Sequence, residues 1–140
     1  MPLEDARTGA VFSIGDLNGR LVAIEPMAAW CSNCLRQQQE ARKALKALGS
    51  EDVVYISLGV DPDEKAGELA RYADDEGFGW TFAVATKDIS RALAAEFGDQ
   101  VLSPPSTPFI LVGPDGAVIE QHFGSRGADD LAALLAQHVP

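Results

Sequence analysis

Residues 30 to 34 read Trp30-Cys31-Ser32-Asn33-Cys34, and this stretch, which holds both cysteines of the chain, decides the fold. An apolar run at residues 21–24 precedes it, and a helical pattern follows it. A Cys-x-x-Cys between a strand and a helix is typical of a redox site. Unpaired N–H groups and the positive dipole end of a helix start favour the Cys31 thiolate, the form that attacks a disulfide. Cys34 follows one turn later on the same face, where it can attack the resulting mixed disulfide. The stretch therefore predicts thiol–disulfide chemistry.

Length, composition and charge limit the classes of protein that fit. The chain has 140 residues, 46% of them hydrophobic, which suits a single globular domain over residues 1–140. Its net charge of −10 would repel phosphates, so we expect no nucleic-acid partner. The longest apolar run, residues 21–30, contains Glu25 and Pro26 and is too short for a membrane helix. Residues 1–5 do not resemble a signal peptide, which leaves a cytoplasmic protein or an exported domain without its leader as alternatives.

The order of apolar patterns predicts an α/β domain. After a loose lead-in over residues 1–10, strands are expected at 11–14, 21–24, 53–58, 80–84, 109–112 and 117–123. Helices are expected at 31–48, 61–76, 88–97 and around 131–135. Asp61 is the expected N-cap of the second helix, where Glu64 can reach back as in a capping box. Asp88 is the expected N-cap of the third helix, and Gly49 the stop of the first. On that first helix, a polar face that includes Gln37 is expected to be solvated. Alternating strands and helices followed by a hairpin predict three layers around a mixed sheet.

On these residues the chain resembles the thioredoxin superfamily. The resemblance is carried by the 30–34 stretch, by Thr107-Pro108 before a strand, and by the turn at 113–116. A helix and strand between Asp61 and Val84 are similar to the insertion of the TlpA/ResA-like branch. The resemblance covers residues 10–138 and implies a thioredoxin-like α/β/α fold with oxidoreductase activity on protein thiols or disulfides. It also implies a second redox protein as electron donor or acceptor, no cofactor or metal, a monomer, and an extracytoplasmic location.

The resemblance also implies roles for individual residues. Pro108 is expected to be cis beside Cys31, and Thr107 before it to pair with the substrate as a short strand. Trp30 is expected at the rim of the substrate groove. Glu25 is similar to the buried acid behind the active site of thioredoxins, where it would accept the proton of Cys34. Ser32-Asn33 and Met27 depart from thioredoxin itself, so neither the reduction potential nor the docking surface carries over.

Several alternatives remain open on the residues alone. Cys31 and Cys34 would be two buried structural thiols or part of a zinc site, although only His122 and His138 could complete such a site. Glu25 would be an ordinary carboxylate that reaches solvent. A copper-binding assembly factor of the Sco type suits a soft cysteine pair, but its three-residue spacing and its histidine near 103–107 are missing. A peroxiredoxin-like peroxidase would need a Thr at position 28, which is Ala.

Overall fold

The computed structural model describes residues 2–140 and contains seven strands and four α-helices. The strands are β1 (Pro2–Glu4), β2 (Val11–Ser13), β3 (Leu21–Met27), β4 (Val53–Gly59), β5 (Thr81–Val84), β6 (Pro108–Val112) and β7 (Val118–Phe123). The helices are α1 (Ser32–Leu48), α2 (Ala66–Glu76), α3 (Lys87–Phe97) and α4 (Ala128–His138). Short 3-10 turns at Ile14–Leu17, Asp99–Leu102 and Pro104–Ser106 lie in the connections.

The central sheet is mixed, with the strand order β5-β4-β3-β6-β7. β3 pairs in parallel with β4, and β4 in parallel with β5, whereas β6 is antiparallel to both β3 and β7. β3 is buried along its whole length. A strand buried on both faces reads as a continuous apolar run, which is why residues 21–24 were recognisable in the sequence. The stretch with the two cysteines follows the carboxyl end of this central strand.

Alternate side chains of the strands divide the interior into two faces. Ala23 and Tyr55 point to one face, where they pack against α1 and α4. Phe82 lies on the same face and packs against Leu69 of α2. The opposite face, with Ile56, packs against α3 and the first strand. The predicted three layers around a mixed sheet are confirmed, and the helix and strand expected between residues 61 and 84 are present as α2 and β5.

Residues 2–10 do not form the loose lead-in that the sequence suggested. β1 pairs antiparallel with β2, and Leu3 at its centre is buried against the face that α3 covers. Arg7 donates to the carbonyl oxygens of Phe78 and Trp80 and pairs with Asp74. Since one apolar residue in a three-residue strand leaves no visible periodicity, pattern reading missed this segment.

Two helix starts also differ from expectation. α2 begins at Ala66 with Lys65 at its N-cap, four residues after the predicted Asp61–Pro62 start. The N-cap of α3 is Thr86, whose hydroxyl accepts the N–H of Ile89, instead of Asp88. The acidic residues expected to cap α2 instead accept hydrogen bonds from Ala29 and Trp30. Within residues 2–140, none of the helices has the length and apolar character that crossing a bilayer requires.

Candidate active site

Cys31 is the N-cap residue of α1. Its backbone is extended (φ −86°, ψ 109°), its N–H donates to the Ala28 carbonyl at 3.1 Å, and its Sγ accepts the N–H of Cys34 at 3.2 Å. A hydrogen bond donated to sulfur at a helix N-terminus favours the thiolate over the thiol. The structure therefore brings the two cysteines together in the first turn of α1, as their spacing predicts.

Cys34 is the more deeply buried of the two thiols, with 1% of its surface exposed. Burial raises the pKa of the Cys34 thiol well above its usual range, and the hydrogen bond with Cys31 raises it further. The thiol can donate to the carbonyl oxygen of Pro104, 3.5 Å from Sγ. Both cysteines are free. At neutral pH Cys34 thus holds its proton and needs a base before it can attack a disulfide.

Cys31 itself is also buried, with only 3% of its surface exposed. Trp30 beside it is 62% exposed, and its indole N–H donates to Asp61 Oδ2 at 2.7 Å. On the other side, the amide of Asn33 donates to the Pro105 carbonyl at 2.9 Å. This surface hydrogen bond joins the cysteine stretch to the loop that precedes β6. The two contacts hold Trp30 and Asn33, which flank Cys31 in the sequence.

Glu25 is buried at 2% exposure on β3, on the face that α1 covers. Oε1 of its carboxylate accepts from Gln38 Nε2 and from Ser57 Oγ, both at 2.8 Å. Oε2 has only a long 3.4 Å contact with the Tyr55 hydroxyl. Burial raises the pKa of Glu25 to about 7, and the three hydrogen bonds oppose part of that effect. The alternative of a carboxylate that reaches solvent is wrong.

The residues that hold Glu25 were not identified from the sequence. Gln38 is fully buried and joins Glu25 to the hydroxyl of Tyr72, while Ser57 also accepts the indole N–H of Trp80 at 2.9 Å. The signal was available, because Gln38 follows Cys34 by four positions and so shares its buried helix face. Ser57 is the polar member of an otherwise apolar strand and pairs directly with Glu25.

Gln37 differs from expectation as well. The helical pattern predicts a solvated Gln37, but the residue is only 6% exposed. Its side-chain amide donates to the Arg126 carbonyl at 3.1 Å and accepts the Arg126 N–H at 2.7 Å. This pair of hydrogen bonds joins α1 to the loop between β7 and α4, a long-range contact that helical periodicity cannot predict.

Thr107 and Pro108 correct the expectation of a cis bond, since no cis peptide bond occurs among the described residues. Instead Thr107 makes the turn with a left-handed backbone (φ 51°, ψ 63°). Its N–H donates to the Pro104 carbonyl at 2.9 Å, and its carbonyl accepts from Gly124 at 3.2 Å. Both backbone groups of Thr107 therefore have partners inside the protein, and a substrate strand would have to displace them.

Two carboxylates from the connection between β4 and α2 hold the segment that leads into Cys31. Glu64 Oε2 accepts the N–H of Ala29 at 2.8 Å, and Asp61 binds the Trp30 indole. Burial raises the pKa of Glu64, and its Oε1 is buried without a hydrogen-bond partner in the part of the chain that the structure describes. These contacts explain why Asp61 and Glu64 do not cap α2.

Comparisons with known proteins bear on the fold of the chain. No family model matches the chain, and no curated protein matches it. Solved structures, in contrast, match the chain in fold. A thiol:disulfide interchange protein of the thioredoxin family from Chlorobium tepidum TLS superposes with a TM-score of 0.81 at 17% identity, over 100% of this chain and 93% of that one. The chain has a thioredoxin-like fold.

Two further structures with similar architecture differ in chemistry. One is a secreted Mycobacterium tuberculosis disulfide oxidoreductase homologous to E. coli DsbE, with a TM-score of 0.74 at 16% identity over 98% of this chain and 95% of that one. The other is Arabidopsis thaliana ScoI with copper bound, with a TM-score of 0.77 at 13% identity over 98% and 94%. The thioredoxin-like fold thus hosts both disulfide chemistry and copper binding, and the site must decide between them.

Proposed function

We propose that the protein is a thiol–disulfide oxidoreductase that acts on protein substrates, with Cys31 as nucleophile and Cys34 as resolving thiol. The single observation that carries the proposal is the Cys34 N–H donated to Cys31 Sγ at the first turn of α1. This contact gives Cys31 Sγ a hydrogen-bond donor, while burial keeps Cys34 protonated until a base removes its proton. A sulfur that accepts a hydrogen bond beside a buried thiol that keeps its proton suits the two successive steps of disulfide exchange.

In the reducing direction, the Cys31 thiolate attacks a substrate disulfide, forms a mixed disulfide and releases one substrate thiolate, which takes a proton from water. Cys34 then gives its proton to Glu25 and attacks Cys31 Sγ. The second substrate thiolate leaves, and the Cys31–Cys34 disulfide holds the oxidation equivalent of two electrons. A dithiol on a partner redox protein reduces it again, and every step is reversible. Since the cysteine pair carries the electrons, the cycle needs no organic cofactor.

The burial of Cys31 is compatible with this cycle because the contact between the cysteine stretch and the loop before β6 is weak. The Asn33–Pro105 hydrogen bond lies at the surface, and such a bond contributes about 0.5–1.5 kcal/mol net. The cost of breaking it lowers the population in which Cys31 is accessible by about tenfold at most. We propose that Trp30, Thr107 and Pro108 form the substrate contact once this loop moves.

Insulin reduction with dithiothreitol tests the proposal. Wild-type protein should accelerate the precipitation of reduced insulin, and Cys31→Ser should abolish the acceleration. Cys34→Ser should retain the first attack and lose turnover, because no thiol remains to release the substrate. Equal activity of wild type and Cys31→Ser would overturn the assignment.

A copper-binding function of the Sco type is the second candidate, since the copper-bound ScoI structure shares the fold. Within residues 2–140 no three side chains among His, Cys, Asp and Glu lie together as metal ligands would. The loop at 103–107 holds no histidine. Anaerobic titration with Cu(I) separates the two functions: stoichiometric tight binding without insulin reduction would favour the Sco type.

We also propose an extracytoplasmic location and, as partners, protein thiols or disulfides together with a second redox protein. The location is supported by the likeness to a secreted disulfide oxidoreductase. Fractionation of the source cells with immunodetection of the protein tests it, and recovery in the cytoplasm alone would contradict it.

A further inference from the structure

Glu25 lies next to a small cavity that the disulfide cycle above does not use. The cavity has a volume of about 10 Å³, which is about what a single water molecule needs. Its lining includes Glu25 and Tyr55 on one side, and His122 and Arg126 on the other. Any base buried at this depth must exchange its proton with solvent once in each cycle, so the route out is part of the mechanism.

The sheet register explains why these side chains meet. Glu25 pairs with Ser57, and Phe109 pairs with His122. The Ala23–Leu111 pair of β3 and β6 places Glu25 and Phe109 in one row across the sheet, two residues further along. His122 therefore points to the same face as Glu25, two strands away. It is half-buried, so it borders both the cavity and solvent.

Arg126 covers Phe109, which lies between Glu25 and His122 in this row. Its guanidinium lies 5.3 Å from the centre of the Phe109 ring, and the Gln37 amide fixes its backbone on both sides. One guanidinium nitrogen, Nη2, donates to Glu120, whereas Nη1 is buried and has no hydrogen-bond partner among residues 2–140. Glu25 Oε2 is the less satisfied oxygen of its carboxylate, with only the long Tyr55 contact. Arg126, which has a buried unpaired donor, and Glu25, which has an under-used acceptor, thus both line one cavity of the size of a water.

We propose that a water held between Glu25 and Arg126 is the proton route of the buried acid, and that His122 is its outer end. This inference rests on the proposed thiol–disulfide function. When Cys34 attacks, its proton passes to Glu25, then through the water to the His122 imidazole and to solvent. No electron moves along the route. Histidine can carry a proton between two sides because its two ring nitrogens exchange donor and acceptor roles. Arg126 is a positioning residue that holds the water and favours the ionised carboxylate.

The other groups around Glu25 offer no such exit. The titratable or charged side chains that face it are Cys34 from α1, Tyr55 from β4, Tyr72 from α2, His122 from β7 and Arg126 from the loop before α4. Burial raises the pKa of both Tyr55 and Tyr72, so neither releases a proton near neutral pH.

The test follows the two steps separately with 5,5′-dithiobis(2-nitrobenzoic acid) as the probe. The reduced full-length protein is mixed with the reagent by stopped flow between about pH 5 and 9, the range in which acid–base groups of the cycle titrate. The first thionitrobenzoate reports the attack of Cys31. The second reports the attack of Cys34 on the mixed disulfide. His122→Asn should slow the second release by about tenfold, less than the ~10²–10⁴-fold of a direct acid–base group because water can partly replace the relay. The first release should stay unchanged.

Two further measurements distinguish a relay from a structural effect. Imidazole added to the buffer should restore the second release of His122→Asn, which no structural role explains. Arg126→Gln retains the backbone bonds to Gln37 and should move the midpoint of the second step to higher pH. His138→Asn, at the end of α4, is the matched control and should behave as wild type.

The results that overturn the inference are specific. A His122→Asn protein with a wild-type second release, or with a slow release that imidazole does not restore, removes His122 from the route. If His122→Asn does not fold, an unshifted Arg126→Gln profile removes the route instead. A wild-type protein that never releases the second thionitrobenzoate contradicts the proposed function itself.

Discussion

Replacing Glu25 with glutamine tests whether burial raises the pKa of this carboxyl group. The pKa of Glu25 is raised by burial from its ordinary value of 4.5 to about 7, so the folded protein binds this proton more tightly than the unfolded chain. A tenfold difference in proton affinity is worth about 1.4 kcal/mol, and the rise to about 7 therefore corresponds to about 3 kcal/mol.

The sign of the effect follows from proton linkage. Between pH 4.5 and about 7 the folded state holds a proton at Glu25 that the unfolded state has lost. The free energy of unfolding of the wild type should therefore fall as pH rises through this window. Above about pH 7 the contribution of Glu25 should no longer change with pH. Glu25→Gln has no proton to lose, so its stability should not show this fall.

Urea unfolding at closely spaced pH values, followed by circular dichroism, measures the difference. The gap in free energy of unfolding between Glu25→Gln and wild type should widen by about 3 kcal/mol from pH 4.5 to about 7. Taking the difference between the two proteins removes the titration of other groups, which both share. Parallel stability curves across this window would refute the raised pKa of Glu25 and the role of its burial.

Three further predictions concern other contacts. Asn33→Ala removes a surface hydrogen bond that holds the cysteine stretch closed, so iodoacetamide should alkylate Cys31 about fivefold faster, as ~1 kcal/mol implies; an unchanged rate would show that the bond does not limit access. Gln38→Leu removes a hydrogen-bond donor that favours the ionised form of Glu25, so the pKa of Glu25 should rise further. In the same urea experiment the pH-dependent loss of stability should then shift to higher pH. A shift to lower pH would contradict the role of this contact. Leu3→Ala should cost about 2–5 kcal/mol of unfolding free energy, since Leu3 is buried; a loss below ~0.5 kcal/mol would return residues 2–10 to the status of a loose lead-in.

The elements with strong patterns were predictable from the sequence. β3 and β4 appear as apolar runs. α1 ends at Leu48, and its C-cap Gly49 has a φ of 61°, the left-handed conformation that glycine favours. The cysteine spacing alone brought Cys31 and Cys34 into one helical turn. In each case a local rule and the tertiary structure agree.

The predictions failed where a side chain acts at long range. Asp61 and Glu64 fit a helix cap by local rules, yet they bind Trp30 and Ala29 more than thirty positions earlier in the chain. Gln37 looked like a solvated residue because its partner, Arg126, lies 89 residues away. Such contacts leave no period in the sequence, so only the three-dimensional arrangement reveals them.

The turn before β6 failed for a different reason. The cis bond at Pro108 was an expectation from resemblance, and the local structure makes the turn through Thr107 instead. A β-branched residue in the left-handed region is strained. The strain at Thr107 is consistent with a loop that rearranges when a substrate strand approaches.

The proposed cycle depends on the order of attack at the two sulfurs, and trapping the mixed disulfide measures this order most directly. Cys34→Ser and Cys31→Ser proteins are each reduced, incubated with a disulfide-containing protein such as insulin, quenched with acid and analysed by intact mass and peptide mapping. We expect a mixed disulfide at Cys31 that accumulates in Cys34→Ser, and no comparable adduct at Cys34 in Cys31→Ser. Equal adducts in the two variants, or none in Cys34→Ser, would contradict this order.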